Sequence, residues 1–134
     1  VDDWWRLLHT QAADFTLSFR YLAQAPQDPA RFLSLFAQPD SAQAWLAHYA
    51  ARLAADNQSP EARVARMNAA NPLYVLRNYL LEQAIVQARD LADYREIDRL
   101  QRCMANPFTE RAEFADFAVL PPAWADEICL SCSS

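Results

Sequence analysis

Hydrophobic and polar positions follow helical spacing along most of the chain. The first segment carries apolar side chains every three or four residues, which places them on one stripe of a helix. These residues are Trp4, Leu8, Ala12, Phe15, Phe19 and Leu22. We expect one continuous helix that ends before Ala25, because Pro26 and Pro29 forbid its continuation.

Cap signals separate the helices that follow. At each start a polar residue stands before proline, or three residues before Gln or Glu. The pairs are Asp28 with Pro29, Asp40 with Gln43, Ser59 with Pro60, Asn71 with Pro72 and Asp93 with Glu96. Apart from the helix that begins at Asn71, the inward positions are Phe32, Leu33 and Phe36, then Trp45, Leu46, Tyr49 and Leu53, then Val64 and Met67, and last Ile97, Leu100 and Met104.

The stretch from Asn71 to Arg89 is the longest strongly apolar segment and predicts a central helix. Its apolar residues lie nearly all round the helical wheel, so we expect it to pack against more than one neighbour. One face would hold Leu73, Leu76, Leu80 and Ala84.

These patterns predict an all-α fold, an irregular bundle of about six helices with an extended C-terminal tail. We expect a single helical domain over residues 1–134, with the bundle in 1–107 and an extended, partly helical tail in 108–134. The sequence shows neither a strand pattern nor an internal repeat.

Two missing residue types restrict the chemistry. The 134 residues include no glycine, and all twelve basic residues are arginine. Glycine-rich phosphate loops need backbone conformations that a Cβ atom penalises, so the Walker loop, the dinucleotide fingerprint and the kinase loop are excluded. The lack of lysine excludes Schiff-base chemistry and a lysine clamp on phosphates.

Charge and hydropathy restrict the partners. The formal net charge is −5, which argues against a nucleic-acid partner because phosphate contacts need a basic face. No apolar run approaches the ~20 residues of a membrane span, and the acidic start lacks the basic flank of a signal peptide. We therefore expect a soluble, cytoplasmic protein of a reducing compartment in a bacterium, without a membrane partner.

Candidate metal and acid–base sites are weak. His9 and His48 lie on different predicted helices with no ligand at a suitable spacing, so we assign no metal site. The sequence from Asp14 to Thr16 is similar to a kinase Asp-Phe-Gly motif, but Thr16 replaces the glycine. A carboxylate run is interleaved with arginines, which is typical of a solvated helix start with ion pairs, and we assign no catalytic residue. The run comprises Asp90, Asp93, Glu96 and Asp98, with Arg89, Arg95 and Arg99.

Arg77 and Asn78 are candidates for a structural or docking role. On the predicted central helix Arg77 shares the side of Leu73, Leu80 and Ala84, where a guanidinium needs a partner or must reach solvent. A carboxylate would suit its planar fork, and Asn78 could bond a loop backbone. A buried structural pair is the simpler interpretation.

Two cysteines near the end of the chain are redox candidates. Cys129 and Cys132 have the C-x-x-C spacing of redox dithiols and of half a zinc site. Without a second such pair, zinc would need other donors, and a tail with incidental cysteines is the simpler interpretation. Cys103 lies in a predicted helix.

The sequence resembles the selenoprotein O (SelO) family over nearly its whole length. The run MNAANPLYVLRNYL at 67–80 looks like the family signature Asn-Pro-x-Tyr-Val-Leu-Arg-Asn-Tyr-Leu. The motifs at 106–108, 121–125 and 131–134 follow the order and approximate spacing of the family's C-terminus. Residues 13–17 resemble an upstream Ala-Asp-Tyr-Thr-Leu segment.

The resemblance implies that the chain is the C-terminal, non-catalytic part of a longer protein. Members have a protein-kinase-like fold and transfer AMP from ATP to hydroxyl side chains of proteins with a divalent metal, magnesium or manganese. Their nucleotide-binding and metal-binding residues lie upstream of the matching region, so this chain holds no cofactor itself. The implied partners are the missing N-terminal kinase-like core and the protein substrates of the whole enzyme.

The resemblance also bears on the tail. Cys132 occupies the position of the family's selenocysteine or cysteine, third from the end. It could form a disulfide with a cysteine of the missing core, with Cys129 as a second candidate or a resolving thiol. The matching ending also predicts that Ser134 is the natural terminus.

Two other functions stay open at this point. The chain could be an autonomous helical protein-interaction module, as a monomer or a homodimer. A stand-alone dithiol protein is the weaker alternative, because nothing near Cys129 and Cys132 supplies a basic neighbour that would lower a thiol pKa.

Overall fold

The computed structural model describes residues 1–128, and these residues form α-helices and 3₁₀ helices without a strand. The prediction of an all-α fold is confirmed. The chain divides into two compact units, Val1–Pro72 and a second unit that begins at Leu73. Cys129 and Cys132 lie outside the described residues.

The first unit contains five helices. They are α1 (Asp2–Thr10), α2 (Phe15–Leu22), α3 (Ala30–Leu33), α4 (Pro39–Ala54) and α5 (Pro60–Ala70). Helix α1 packs on α4, and α3 packs on both α2 and α4. The fully buried side chains include Leu17 and Phe32, which join the aromatic ring of Trp4 in a common core.

The expected continuous first helix is wrong, because the chain breaks between α1 and α2. Ala12 adopts a left-handed φ of 48°, and the N–H of Ala13 donates to the carbonyl of Leu8 at 3.0 Å. Asp14 then caps α2 by accepting a hydrogen bond from the N–H of Leu17 at 2.8 Å. A capping carboxylate that competes for backbone N–H groups explains why the periodicity continues although the helix does not.

Local signals predicted the middle helices well. The Ser59 hydroxyl caps α5 by accepting from the N–H of Ala62 at 3.1 Å. Helix α4 begins at Pro39, one residue before the expected cap Asp40, and has no side-chain cap hydrogen bond. Buried Arg20 donates from α2 to the carbonyls of Asn68 and Asn71 at 3.0 and 2.9 Å, which satisfies the end of α5.

The second unit contains an extended segment followed by two α-helices and two 3₁₀ helices within residues 73–128. The helices are α6 (Asn78–Leu91), α7 (Arg95–Met104), and 3₁₀ helices over Ala112–Ala118 and Ala123–Glu127. Helices α6 and α7 pack against each other. The buried apolar residues are Leu73, Tyr74, Tyr79, Leu80, Ala84, Leu100, Cys103, Phe114, Phe117 and Ala118.

The prediction that the central helix starts at Asn71 is wrong, because the helix begins at Asn78. The N–H groups of Leu73 and Tyr74 donate to the carbonyl of Pro107 at 2.9 and 3.2 Å. The Tyr74 hydroxyl donates to the carbonyl of Arg111 at 3.1 Å and accepts from its N–H at 2.9 Å. These bonds hold the segment in an extended path that a helix could not follow.

The Arg111 side chain closes the other end of the same unit. Its guanidinium donates to the carbonyls of Cys103 and Asn106 at 3.0 and 2.6 Å, which lie at the C-terminal end of α7. The guanidinium carbon also lies 4.6 Å from the ring centroid of Phe114, within the range of a cation–π contact. One residue therefore caps α7 and covers the aromatic core.

Arg99 makes a second contact between α7 and the first 3₁₀ helix. Its guanidinium donates to the carboxylate of Asp116 at 2.9 Å and lies 4.3 Å from the ring centroid of Phe117. The hydrogen bond from Arg99 lowers the pKa of Asp116 and raises the pKa of Arg99 itself. Arg111, Asp116 and Phe117 thus contact α7. Two 3₁₀ helices lie in the described part of the region after residue 107, and the division into a bundle in 1–107 and a tail in 108–134 stays a prediction.

Tyr74→Phe tests the hydroxyl that joins the two ends of the second unit. We expect it to lower the free energy of unfolding by about 1–3 kcal/mol, because the buried N–H and carbonyl of Arg111 lose their partner. Denaturant unfolding measures the change. The matched control is Tyr94→Phe at a residue 64% exposed, and an equal effect of the two substitutions would contradict the assignment.

Ala92→Gly tests a left-handed alanine at the end of α6, which adopts φ 51° and ψ 32°. We expect it to raise the free energy of unfolding by about 0.5–1 kcal/mol. Glycine removes the clash of the alanine Cβ in the left-handed conformation, and its greater freedom in the unfolded chain offsets part of this stabilisation. Ala88→Gly, inside the same helix, should instead lower stability by about 1 kcal/mol. Thermal unfolding that ranks the two variants in the opposite order would show that the cap conformation is not strained.

Candidate functional site

An aromatic groove lies on the surface of the first unit and has a volume of about 600 Å³. We call it the aromatic groove and define it by its lining residues, Val1, Trp4, Trp5, Phe19, Leu22, Trp45, Tyr49 and Arg52. The lining of the groove contains five aromatic residues and one arginine. The groove is therefore suited to an apolar occupant with a small polar component.

Helices α1, α2 and α4 supply these aromatic rings. Trp4 lies at the centre, with its ring centroid 4.6 Å from Trp45 and 5.3 Å from Phe19. Trp45 stacks on Tyr49 one helical turn later at 5.3 Å. The spacing i, i+4 on α4 thus sets two parallel rings into the wall of the groove.

The sequence predicted Trp45, Tyr49 and Leu53 as the buried face of α4, and this is wrong in part. The buried residues of α4 are Ala42 and Leu46, whereas Trp45, Tyr49 and Leu53 are only half-buried. Phe15, expected on the core stripe, is 60% exposed and stacks on Trp5 at 6.1 Å. The aromatic surface therefore continues from the groove onto the start of α2.

Two polar groups at the aromatic groove are distinctive. The indole N–H of Trp4 is buried and has no hydrogen-bond partner within residues 1–128. The Tyr49 hydroxyl lies 3.8 Å from the sulfur of Met67, and burial raises the pKa of Tyr49. Tyr49 therefore stays a neutral donor at physiological pH, and neither group carries charge into the groove.

Arg77 and Asn78 lie at the start of α6 rather than inside a longer helix. Arg77 is the N-cap residue and is half-buried, and its carbonyl accepts from the N–H groups of Leu80 and Leu81, each at 3.1 Å. Asn78 is the first helical residue and is exposed. The shared helical side that was expected for Arg77 and Leu73 is wrong, because Leu73 precedes the helix. The docking role of Arg77 and Asn78 stays a prediction.

The carboxylate run forms ion pairs, as the sequence predicted. Each acidic residue has an arginine partner, namely Asp90 with Arg89, Asp93 with Arg95, Glu96 with Arg99 and Asp98 with Arg102. The strongest effect is on Asp93, where hydrogen bonds from the side chain and N–H of Arg95 lower the pKa to about 2. The Arg89 hydrogen bond likewise lowers the pKa of Asp90, so Asp90 and Asp93 stay ionised at neutral pH and do not supply an acid.

Cysteine and metal-binding chemistry have little support within residues 1–128. Cys103 is fully buried, and burial raises the pKa of its thiol, so it is a poor nucleophile. His9 and His48 are both exposed, on α1 and α4. The described part of the chain contains no group of three His, Cys, Asp or Glu side chains arranged to hold a metal ion.

No helix within the described residues is long and apolar enough to span a membrane.

Comparison with known proteins gives a consistent result. The family model described as "Protein adenylyltransferase SelO" matches residues 1–105. A protein of Thioalkalivibrio sulfidiphilus named "Protein nucleotidyltransferase YdiU" is 46% identical over 131 residues, which cover 96% of this chain and 26% of that protein. A protein of the same name from Bordetella avium is 45% identical over 135 residues, which cover all of this chain and 27% of that protein.

The chain thus spans about a quarter of the length of the curated relatives that it matches. The region matched by the family model contains both the aromatic groove and the segment with Tyr74 and Arg77, and it ends before Arg111. Its extent, together with identities of 45% and 46% over nearly the whole chain, shows that this chain belongs to the SelO family of protein nucleotidyltransferases.

Proposed function

We propose that this chain is the C-terminal, non-catalytic helical region of a SelO-type protein that transfers AMP from ATP to hydroxyl side chains of other proteins. The observation that carries the proposal is the asymmetry of the match, which covers nearly all of this chain but about a quarter of each relative. The catalytic core would then be the remaining polypeptide, joined upstream of Val1.

The composition supports this division of labour. A kinase-like site holds ATP with a glycine-rich loop and a lysine, and its metal with carboxylates and amides. This chain has neither glycine nor lysine. Its carboxylates between Asp90 and Asp98 are paired with arginines. ATP, magnesium or manganese would be bound by the core, and this chain would supply none of their ligands.

The structure supports a bracing role. In the segment from Leu73 to Arg77, hydrogen bonds of Leu73 and Tyr74 to Pro107 and Arg111 hold the backbone extended before α6. Leu76 in this segment is 51% exposed, and Asn78 follows at the start of α6. A rigid extended segment with an apolar and an amide side chain is suited to contact a neighbouring domain, which is the docking role proposed for Arg77 and Asn78.

The first test compares AMP transfer by two polypeptides, this chain alone and the same chain joined to its natural upstream core. With ATP labelled on the α-phosphate, we expect label on protein only from the joined polypeptide, and only when magnesium or manganese is present. The covalent label is measured after denaturing electrophoresis, and removal of the metal with EDTA is the control. Transfer of AMP by the 134-residue chain alone would refute the proposal, as would a gene that encodes no core.

We further propose that Cys132 is the redox-sensitive residue of the tail and forms a disulfide with a cysteine of the core. Two thiols would lose two protons and two electrons to an oxidant such as oxidised glutathione, and the sulfur–sulfur bond would tether the tail. The resemblance of the motif at 131–134 to the family's C-terminal motif supports this choice, and Cys103 is a poor competitor because it is buried.

Serine variants of the two tail cysteines test this assignment in the joined protein. After treatment with oxidised glutathione, we expect a shift in non-reducing electrophoresis that is lost in Cys132→Ser and retained in Cys129→Ser, because only one thiol makes the tether. Mass spectrometry of the tail peptide identifies the bond. The assignment fails if Cys132→Ser retains the shift.

The alternative function is an autonomous helical interaction module, and the aromatic groove is the observation that favours it. Such a module would act without a core, so the gene would encode no kinase-like region and the purified chain would bind its partner unaided.

A further inference from the structure

The aromatic groove is a surface to which the bracing role assigns no contact. Its volume of about 600 Å³ lies in the range in which proteins hold compact organic groups. Trp5 on its wall is 47% exposed, and the adjacent Phe15 is 60% exposed. Large aromatic rings clustered on one exposed surface are typical of an interaction site.

The source of the occupant follows from the length of the family's proteins and the position of Val1. About three quarters of each relative lies outside the region that matches this chain. Val1 lines the aromatic groove, and the proposed function joins the core to Val1. Because they would be covalently linked to Val1, core residues next to this junction would be present near the groove at a high effective concentration.

A second copy of the chain fits the aromatic groove less well. Asp2 and Asp3 lie in the first turn of α1, between Val1 and Trp4, which both line the groove. A symmetric pair formed through this surface would bring the acidic first turns of both copies together, and like charges across an interface oppose association.

We propose that the aromatic groove is the docking site for an apolar segment of the kinase-like core, which inserts side chains among Trp4, Trp5 and Trp45. The inference rests on the proposed function for the identity of the occupant. It adds the surface of contact, the chemistry of the contacting segment and the residue that reports it.

The test measures the reactivity of Trp5 toward hydroxyl radicals in the joined protein, relative to Trp5 in the same protein unfolded in urea. Trp5 is 47% exposed when the groove is empty, so the native rate would then be about half the unfolded rate. Docking would bury Trp5 and lower the rate at which it reacts with hydroxyl radicals in the native protein about fivefold further. Mass spectrometry quantifies the oxidised peptide, and an added reporter peptide fixes the radical dose.

A matched pair of substitutions in the joined protein gives a second readout. Trp124 lies in the second unit and is 46% exposed, so it matches Trp5 in both chemistry and exposure. We expect Trp5→Arg to lower the midpoint of thermal unfolding more than Trp124→Arg does, because only the first places a charge where the core docks.

The outcomes separate this inference from the proposed function. A joined protein that transfers AMP while Trp5 keeps half of its unfolded reactivity would overturn the docking site alone. Protection that occurs only at high concentration, with a dimer in analytical ultracentrifugation, would overturn it in favour of a second copy. Protection of Trp5 in a monomeric joined protein that transfers no AMP would support the docking site and refute the activity.

Discussion

The second unit depends on one buried hydroxyl group. Tyr74 is 1% exposed, and its oxygen is hydrogen-bonded to both backbone groups of Arg111. The bonds join residues 37 positions apart and enclose α6 and α7 between them. Because a buried N–H and a buried carbonyl need partners, the path of the chain before α6 is set by the residues that follow α7.

The first unit has a different organisation. Its core combines aliphatic side chains with the buried ring of Trp4, and the rings of Phe19 and Trp45 that contact Trp4 continue outward into the aromatic groove. The ring cluster thus belongs partly to the core and partly to the surface. In the proposed docking, the remainder of the polypeptide would cover the surface part.

Local sequence patterns correctly predicted those features that depend on interactions between residues close in sequence, such as the start of α5 and the ion pairs after Arg89. Ser59 before Pro60 marked the start of α5, and the alternation of acidic and basic residues after Arg89 marked the ion pairs. Asn71 before Pro72 is an equally good cap signal, but it did not start a helix because Pro107 takes the N–H groups of Leu73 and Tyr74. The hydrogen bonds that overrode the signal come from 33 residues or more along the chain, beyond the reach of any local pattern.

The break after α1 was missed for another reason. Helical spacing persists across it because α1 and α2 both contribute rings to one cluster, and the left-handed turn at Ala12 has no glycine to mark it. The partial exposure of Trp45 and Tyr49 could not be predicted from the sequence either. An apolar stripe on a helix indicates a contact surface, but it does not show which part of the protein makes the contact.

The end of the family match gives the Arg111 contacts a practical meaning. The match stops at residue 105, whereas the carbonyl that holds Leu73, the backbone that holds Tyr74 and the ring of Phe114 all lie beyond it. A polypeptide shortened to the matched length would keep every residue of the family signature and lose the partners that give the signature its shape. The end of the family-model match and the end of the folded unit are therefore different places in this chain.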